Sequence, residues 1–388
     1  MEPMTNSRQR VLIVGASTRA AAESAKQAGW QPVCADLFAD EDLRDCAEVL
    51  PVENFPAGLV EAVASVPKCL WMYTGALENH PDIIERISET RPLWGNGIRE
   101  LQRVRDPFRL FEMLSTAGLQ PLAVRTSDDP PPADGSWLLK PVRTAGGRRI
   151  RIWDANAKQD GLLPEDCFFQ QRATGQPISA VYIASPTGVE LVGVTRQLIG
   201  EAWTSAKPFA YCGSVGPIEL GSELTNIVQE TGEQIAQAAG LRGLFGCDFL
   251  YDDATKTIAL VEVNPRYTAS VELFERATGV SLLTAHRAAC ETPGEEAITV
   301  AGTFPRSQVV GKAIWYTARD IIFPGVERLV ETTGIDPSDM ADRPAIGTLI
   351  AAGQPVCTVF TQAQTANACI EGLKRRLTSL SRVSTKSA

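Results

Sequence analysis

The run Gly246-Cys247-Asp248-Phe249-Leu250-Tyr251, a polar turn Asp252-Asp253-Ala254-Thr255-Lys256-Thr257, and the run Ile258-Ala259-Leu260-Val261-Glu262-Val263-Asn264-Pro265-Arg266 decide how this chain is read. Two apolar runs around a short polar loop predict a pair of antiparallel strands. With the hairpin centred near Thr255, Asp248 falls opposite Glu262, and Leu250 opposite Leu260. Asn264 and Arg266 follow Glu262 at the two-residue strand period and emerge on its face. Like charges directly opposite one another destabilise a sheet. Phe249, Val261 and Val263 make the other face apolar as well, so two facing carboxylates in this place need a cation. Aspartate, glutamate and an amide oxygen are hard oxygen ligands that suit magnesium, with the remaining positions left to water and phosphate. Asp248, Glu262 and Asn264 are therefore candidate metal ligands. Arg266 beside them is a candidate bidentate grip on a phosphate or carboxylate, its structural alternative being a salt bridge to Glu272 or Glu275.

A chain of 388 residues that is 44% hydrophobic is long enough for two or three domains with their own cores. Net charge of −9 and a pI near 5.0 weigh against a nucleic-acid partner, which calls for a basic face. No apolar run reaches the length of a membrane span, and the polar start Met1–Arg10 is followed by no signal-peptide core. Nine scattered cysteines, never spaced Cys-x-x-Cys, predict buried free thiols, a reducing cytoplasm and no zinc site. The two histidines, His80 and His286, read as surface or packing residues.

Taken in order, Val11–Val14, Gly15-Ala16-Ser17-Thr18-Arg19 and an alanine-rich stretch to Gly29 read as strand, tight turn and helix. Ser17 is the expected N-cap and Gly29 the left-handed stop. Asp36 ends the next strand where a dinucleotide fold places its ribose acid, but only the first glycine of that fingerprint is present, so a Rossmann-like domain without bound dinucleotide is expected. Cys69–Tyr73 is a further buried strand. The loop after it faces the ligand crevice of such a sheet, which makes Glu78 a candidate for gripping a substrate amine or hydroxyl. Leu93–Gly97 closes this domain near residue 100. Asp106–Leu119 is one amphipathic helix with Pro107 in its first turn and Gly118 at its end. The strand Trp137–Pro141 carries Lys140 and leads to Gly146 and Gly147 among Arg143, Arg148, Arg149 and Arg151. Those glycines let backbone amides approach a phosphate, and Lys140 adds a point charge. Tyr211–Pro217 reads as a glycine-rich loop over the acceptor substrate, and Leu224–Ala239 as a helix stopped by Gly240. Thr268–Ser270 would cap a helix through Thr278. Val309–Tyr316 and the end of 353–360 read as strands, Ala363–Leu377 as a closing helix, and Thr378–Ala388 as a polar disordered tail.

Together these motifs resemble the ATP-grasp superfamily, of the carboxylate–amine ligase type found in biotin carboxylase and carbamoyl phosphate synthetase. In that family an acid on one strand is followed by Glu-x-Asn-x-Arg on the next, as in Asp248, Glu262, Asn264 and Arg266. The resemblance implies a mixed α/β and α+β chain in three parts: a Rossmann-like N-terminal domain (1–100), an ATP-grasp central domain (101–295) and a small C-terminal lobe (296–388). It implies ATP and magnesium as cofactors, with Asp248, Glu262 and Asn264 on the metal. Lys140 and Arg266 would be catalytic, and Ser270 would lie near an acyl phosphate. ATP would be held by Lys140, Arg105, Gly146, Gly147, Gln170, Gln171 and Arg172. The chain departs from the family in three places. The lysine that starts the first helix falls on Pro107, with Arg105 the substitute. The hinge glutamate is Gln171, whose amide still accepts from an adenine amino group. The ribose acid has no match after Gly175. The implied activity is ATP-dependent ligation of a carboxylate to an amine on a small metabolite, in a cytoplasmic protein without nucleic-acid or membrane partners; a homodimer is compatible with it. A kinase-like phosphotransferase and a non-catalytic nucleotide-binding regulator are the alternatives. Asp36-Leu37-Phe38 and 346–360 further resemble ATP-grasp proteins of tetrahydromethanopterin-linked one-carbon metabolism.

Overall fold

The computed structural model describes residues 9–159, 166–291 and 308–383. Four parallel strands, Arg10–Gly15, Gln31–Asp36, Glu48–Pro51 and Leu70–Tyr73, form the first sheet in the spatial order third, second, first, fourth. Val11 and Ile13 pack on one face and Leu12 and Val14 on the other, all fully buried, as expected of a parallel strand covered on both sides. The helix Arg19–Gln27 is preceded by Thr18 rather than Ser17, and no side chain caps it. The Thr18 hydroxyl donates instead to Asp36 at 2.8 Å. Both Asp36 oxygens are engaged in this way, since Thr18 N, Phe38 N and Ala39 N also donate to them.

Eight antiparallel strands make the central sheet. Their spatial order is Thr257–Asn264, Gly243–Asp252, Gln176–Ser185, Gly188–Ile199, Tyr211–Ile218, Val309–Tyr316, Pro355–Ala363 and Met340–Ala341. The helix Ser222–Ala239 lies against it through Leu224, Val228, Ile235 and Ala239, one apolar stripe at helical spacing, and ends on left-handed Gly240. Tyr211–Pro217 is therefore a strand, not a covering loop. Its Gly213 has φ +148°, and a Cβ there would stand 2.2 Å from the Lys312 carbonyl oxygen, so glycine permits a close strand approach.

The segment after residue 308 adds strands to this same sheet and closes it with the helix Ala366–Val383. That helix buries Leu377, Leu380 and Val383, so the chain stays ordered six residues past the expected start of the tail at Thr378. The boundary expected at 295–296 and the last five residues lie outside the described residues.

A third, four-stranded antiparallel sheet runs Val124–Thr126, Cys167–Gln171, Asp134–Pro141, Arg151–Asp154, with Trp153 and Phe169 in tilted ring contact in its small core. It faces the hairpin 243–264 across a cavity. The helix Pro107–Thr116, its N-terminus capped by the Asp106 carboxylate accepting from Phe108 N and Arg109 N, leads into it.

Candidate functional site

Asp248 and Glu262 are direct cross-strand partners, and Gly246 is opposite Asn264. The register then slips by one residue, so Phe249 pairs with Leu260 and Leu250 with Ala259 rather than Leu260. The extra residue is Val261, a bulge that interrupts the pairing beside the two carboxylates. Past the bulge Asn264 and Arg266 keep the face of Glu262. Asn264 Nδ2 donates to Asp248 Oδ2 at 3.1 Å, and Arg266 NH2 donates to Asn264 Oδ1 at 3.2 Å.

This face forms one wall of a cavity of about 520 Å³ whose opposite wall is the small sheet, with Leu138, Lys140 and the glycine loop. Burial, and then the charge of Glu262, pushes the Asp248 carboxyl up to about 6. Burial acts upward on Glu262 too, but the Arg105 and Lys140 charges hold its carboxyl below the usual range. Lys140 is buried and donates to Gln170 Oε1 at 2.9 Å; burial lowers its ammonium pKa, opposed by Glu262. Arg105 sits where the departure at Pro107 calls for a charge. It pairs with Glu262, and its NH2 reaches Asn79 Oδ1 at 3.2 Å.

Most of the other expected residues converge here. Gly146, Gly147, Arg172, Glu78 and Ser270 line the cavity, and Gln170 lines an adjoining, mainly apolar pocket with Phe111, Leu114 and Phe168. Gln171 does not join them. It is exposed at the strand end, its amide oxygen accepting from Ala123 N at 3.4 Å. Ser270 precedes the helix Val271–Thr278 without capping it, and its hydroxyl instead meets Thr195 Oγ1 at 2.9 Å. Arg266 bonds neither Glu272 nor Glu275: its NH2 donates to Glu78 Oε1 at 2.5 Å, joining the N-terminal segment to the face that carries Glu262 and Asn264. Glu272 instead accepts from Arg19 and Lys312, and Glu275 from Ser24, Tyr267 and Leu282 N.

Two residues without a role in the sequence reading also belong to the site: Gln197 Nε2 donates to Asp248 Oδ1 at 3.1 Å, and Asn79 bridges Arg105 to the Thr144 carbonyl. Tyr211, expected in a loop over the acceptor, lines the cavity from a strand. Asn79 was signalled only by its neighbour Glu78; Gln197 has no local signature within its strand.

Facing carboxylates, an arginine on their face, and a buried lysine with a pair of left-handed glycines opposite them line one cavity between two sheets, an arrangement that could hold phosphate and a metal ion. Residues 104–270 match the model of the ATP-grasp domain. The large chain of carbamoyl phosphate synthase from Xylella fastidiosa is 28% identical over 189 residues, 47% of this chain and 16% of that protein, so this chain spans only a small part of that relative. Among solved structures, an L-amino acid ligase from Bacillus licheniformis matches 96% of this chain and 98% of its own, with TM-score 0.73 at 14% identity. Carboxyaminoimidazole ribonucleotide synthase from Aspergillus clavatus, complexed with ATP, gives 0.73 at 14% identity, covering 97% and 99% of the two chains. Biotin carboxylase from Campylobacter jejuni gives 0.68 at 14% identity, covering 93% and 89%. These similarities show a shared fold. No helix among the described residues is long and apolar enough to cross a membrane.

Proposed function

We propose that the protein uses ATP to activate a substrate carboxylate as an acyl phosphate and then joins it to an amine. The observation that carries this reading is the opposed arrangement of Asp248, Glu262 and Arg266 on one wall and Lys140 with the glycine loop on the other. Among the described residues no cluster of three or more His, Cys, Asp or Glu could hold a metal. Two carboxylates and an amide oxygen nonetheless make a donor set that fits magnesium, which takes few protein oxygens and leaves its other positions to water and phosphate. Asp248, Glu262 and, once its amide oxygen is turned from Arg266, Asn264 would hold it. Magnesium held there would supply charge neutralisation for the transferring phosphoryl group.

In the first step a carboxylate oxygen bonds to the γ-phosphorus while the bond to the β-phosphate oxygen breaks, releasing ADP. In the second the amine nitrogen bonds to the acyl carbon, inorganic phosphate leaves, and the amine gives up a proton to solvent. Lys140 would steady the transferring phosphoryl group, and Arg266 the acyl phosphate oxygens, by fixed charge rather than by covalent chemistry. The ligase, synthase and carboxylase names of the similar proteins support this reading.

The deciding experiment is thermal unfolding with ATP, with and without magnesium, on wild type and Glu262→Gln, followed by turnover of Arg266→Ala. A ligand at about 100 times its Kd adds roughly 2.7 kcal/mol, a shift of a few degrees. Magnesium-dependent stabilisation lost in Glu262→Gln, with Arg266→Ala binding ATP but forming no product, is the expected pattern. A stable phosphorylated product formed without amine would make the protein a phosphotransferase instead. The finer placement in tetrahydromethanopterin-linked metabolism is supported by the resemblance of Asp36–Phe38 and 346–360, neither of which lines the cavity. Unchanged levels of that cofactor in a deletion strain would remove it.

A further inference from the structure

We propose that the part of the cavity around Glu78, Arg266 and Thr268 is built for an α-amino acid with an uncharged side chain, whose carboxylate is the one activated. This rests on the ligase reading above. Three buried polar atoms of these cavity-lining residues have no hydrogen-bond partner: Glu78 Oε2, Arg266 Nε and Thr268 Oγ1. Buried polar groups are nearly always satisfied, so unpartnered ones in a cavity wall mark what a ligand brings. Glu78 is 2% exposed, and its other oxygen is held by Arg266 at 2.5 Å. Thr268 is 6% exposed. The remaining Arg266 donors are engaged by Tyr267 O, Asn264 Oδ1 and Glu78.

A ligand for this place must therefore offer a donor to Glu78 and an acceptor to Arg266, with a group for the Thr268 hydroxyl. Glu78 and Arg266 already neutralise one another. A net charge on the ligand would leave one charge unmatched in a buried setting, whereas a zwitterion matches both. Ammonium and carboxylate separated by one carbon meet this demand. Ile199 and Tyr211, paired across neighbouring strands, and Phe209 line the same cavity. The ionised residues in the described lining are Glu78, Lys140, Arg172, Asp248, Glu262 and Arg266. The metal, the phosphates and the zwitterion take all six, and the side chain is left with apolar and hydroxyl contacts.

The test measures ADP release with magnesium, ATP and hydroxylamine, which traps an acyl phosphate as its hydroxamate. Each standard α-amino acid is tried beside its des-amino and 2-hydroxy counterparts, for example L-leucine, 4-methylpentanoate and 2-hydroxy-4-methylpentanoate. The expected result is hydroxamate from one or more uncharged amino acids, with kcat/KM about 100-fold or more above both counterparts, because a site with buried polar partners rejects analogues that lack them. Glu78→Gln should shrink that preference to within about tenfold; a merely structural role would lower all three substrates alike and leave the ratio unchanged. Equal use of the des-amino or hydroxy acid, or response to bicarbonate or another amine-free carboxylate alone, overturns the amino-acid subsite while leaving the ligase reading intact. Absence of hydroxamate from every carboxylate, with ATP bound, overturns both.

Discussion

Replacing Gly147 and Gly146 separately by alanine tests whether the glycine loop is docked as a lid over bound phosphate. Both have positive φ, +74° and +63°. An alanine in the left-handed region costs about 1–2 kcal/mol at either position. The surroundings differ sharply. Around Gly146 a Cβ meets nothing within 4 Å, but at Gly147 it would lie 1.9 Å from the Phe209 carbonyl oxygen and 2.9 Å from its carbon. Non-bonded atoms meet at roughly 3.5 Å, so the loop at Gly147 must retreat by about 1.5 Å. That movement strains the Tyr211 N to Gly146 O hydrogen bond of 3.1 Å, and overpacking adds about 1–3 kcal/mol. A lost hydrogen bond adds about 1 kcal/mol more. With about 1.4 kcal/mol per tenfold in affinity, Gly146→Ala should weaken ATP binding by roughly 5- to 30-fold, and Gly147→Ala by about 100-fold or more. Calorimetric titration with ATP at fixed magnesium measures this, and the melting temperature without ligand should move little in either variant, since the loop lies outside the cores. Equal losses in the two variants, or normal affinity in Gly147→Ala, would refute the docked-lid reasoning.

Arg19 is 3% exposed and is paired with Glu272 at 2.6 Å, Asp342 at 2.8 Å and Glu23 at 3.0 Å, joining the first sheet, the helix Val271–Thr278 and the C-terminal segment. Arg19→Met leaves buried carboxylates uncompensated and should cost about 3–5 kcal/mol by urea unfolding; adding Glu272→Gln should recover part of that loss, and strict additivity would contradict the coupling. His286 is buried with Nδ1 accepting from Leu244 N at 2.8 Å, and burial pushes its imidazole down to about 4. The unfolded chain binds this proton below its ordinary value near 6.5 while the folded chain does not, so stability is lost as pH falls from 6.5 through 4, by about 3 kcal/mol at 1.36 kcal/mol per unit. A stability–pH slope unchanged in His286→Gln over that window would contradict it. Lys140→Met should weaken magnesium–ATP binding while leaving the fold intact, since Gln170 stays anchored through its Nε2, which donates to Val261 O at 3.4 Å. Circular dichroism and titration together check this.

The pairing of Asp248 with Glu262 was legible because strand period and the short polar turn fix the register within one hairpin. The bulge at Val261 was not, because both strands are apolar on either side of it and one extra apolar residue leaves no mark in such a pattern. Tyr211–Pro217 failed for a related reason. Glycine marks either a turn or a close approach, and the backbone that Gly213 approaches, Lys312, lies about a hundred positions further on. Ser17 and Ser270 looked like caps by position, but the hydroxyl partners that decide the matter, Asp36 for Thr18 and Thr195 for Ser270, come from other strands.

The charged residues carry the same point into the site. Arg105 was found through a local departure, the proline where a lysine was expected, and its partner Glu262 was already under attention. Arg19 stood in a turn that resembled a phosphate loop, and nothing near it in sequence announced Glu272 or Asp342. Glu78 and Arg266 were each read as facing a small ligand, yet their contact spans 188 positions and was in neither reading. That contact changes the chemistry. A lone Arg266 would select an anion, and a lone Glu78 an amine. Held 2.5 Å apart with one unpartnered atom each, they select both charges on one molecule. The residue types are written in the sequence, but the charge that a ligand must carry is set only once the first sheet is folded against the hairpin leading to Arg266.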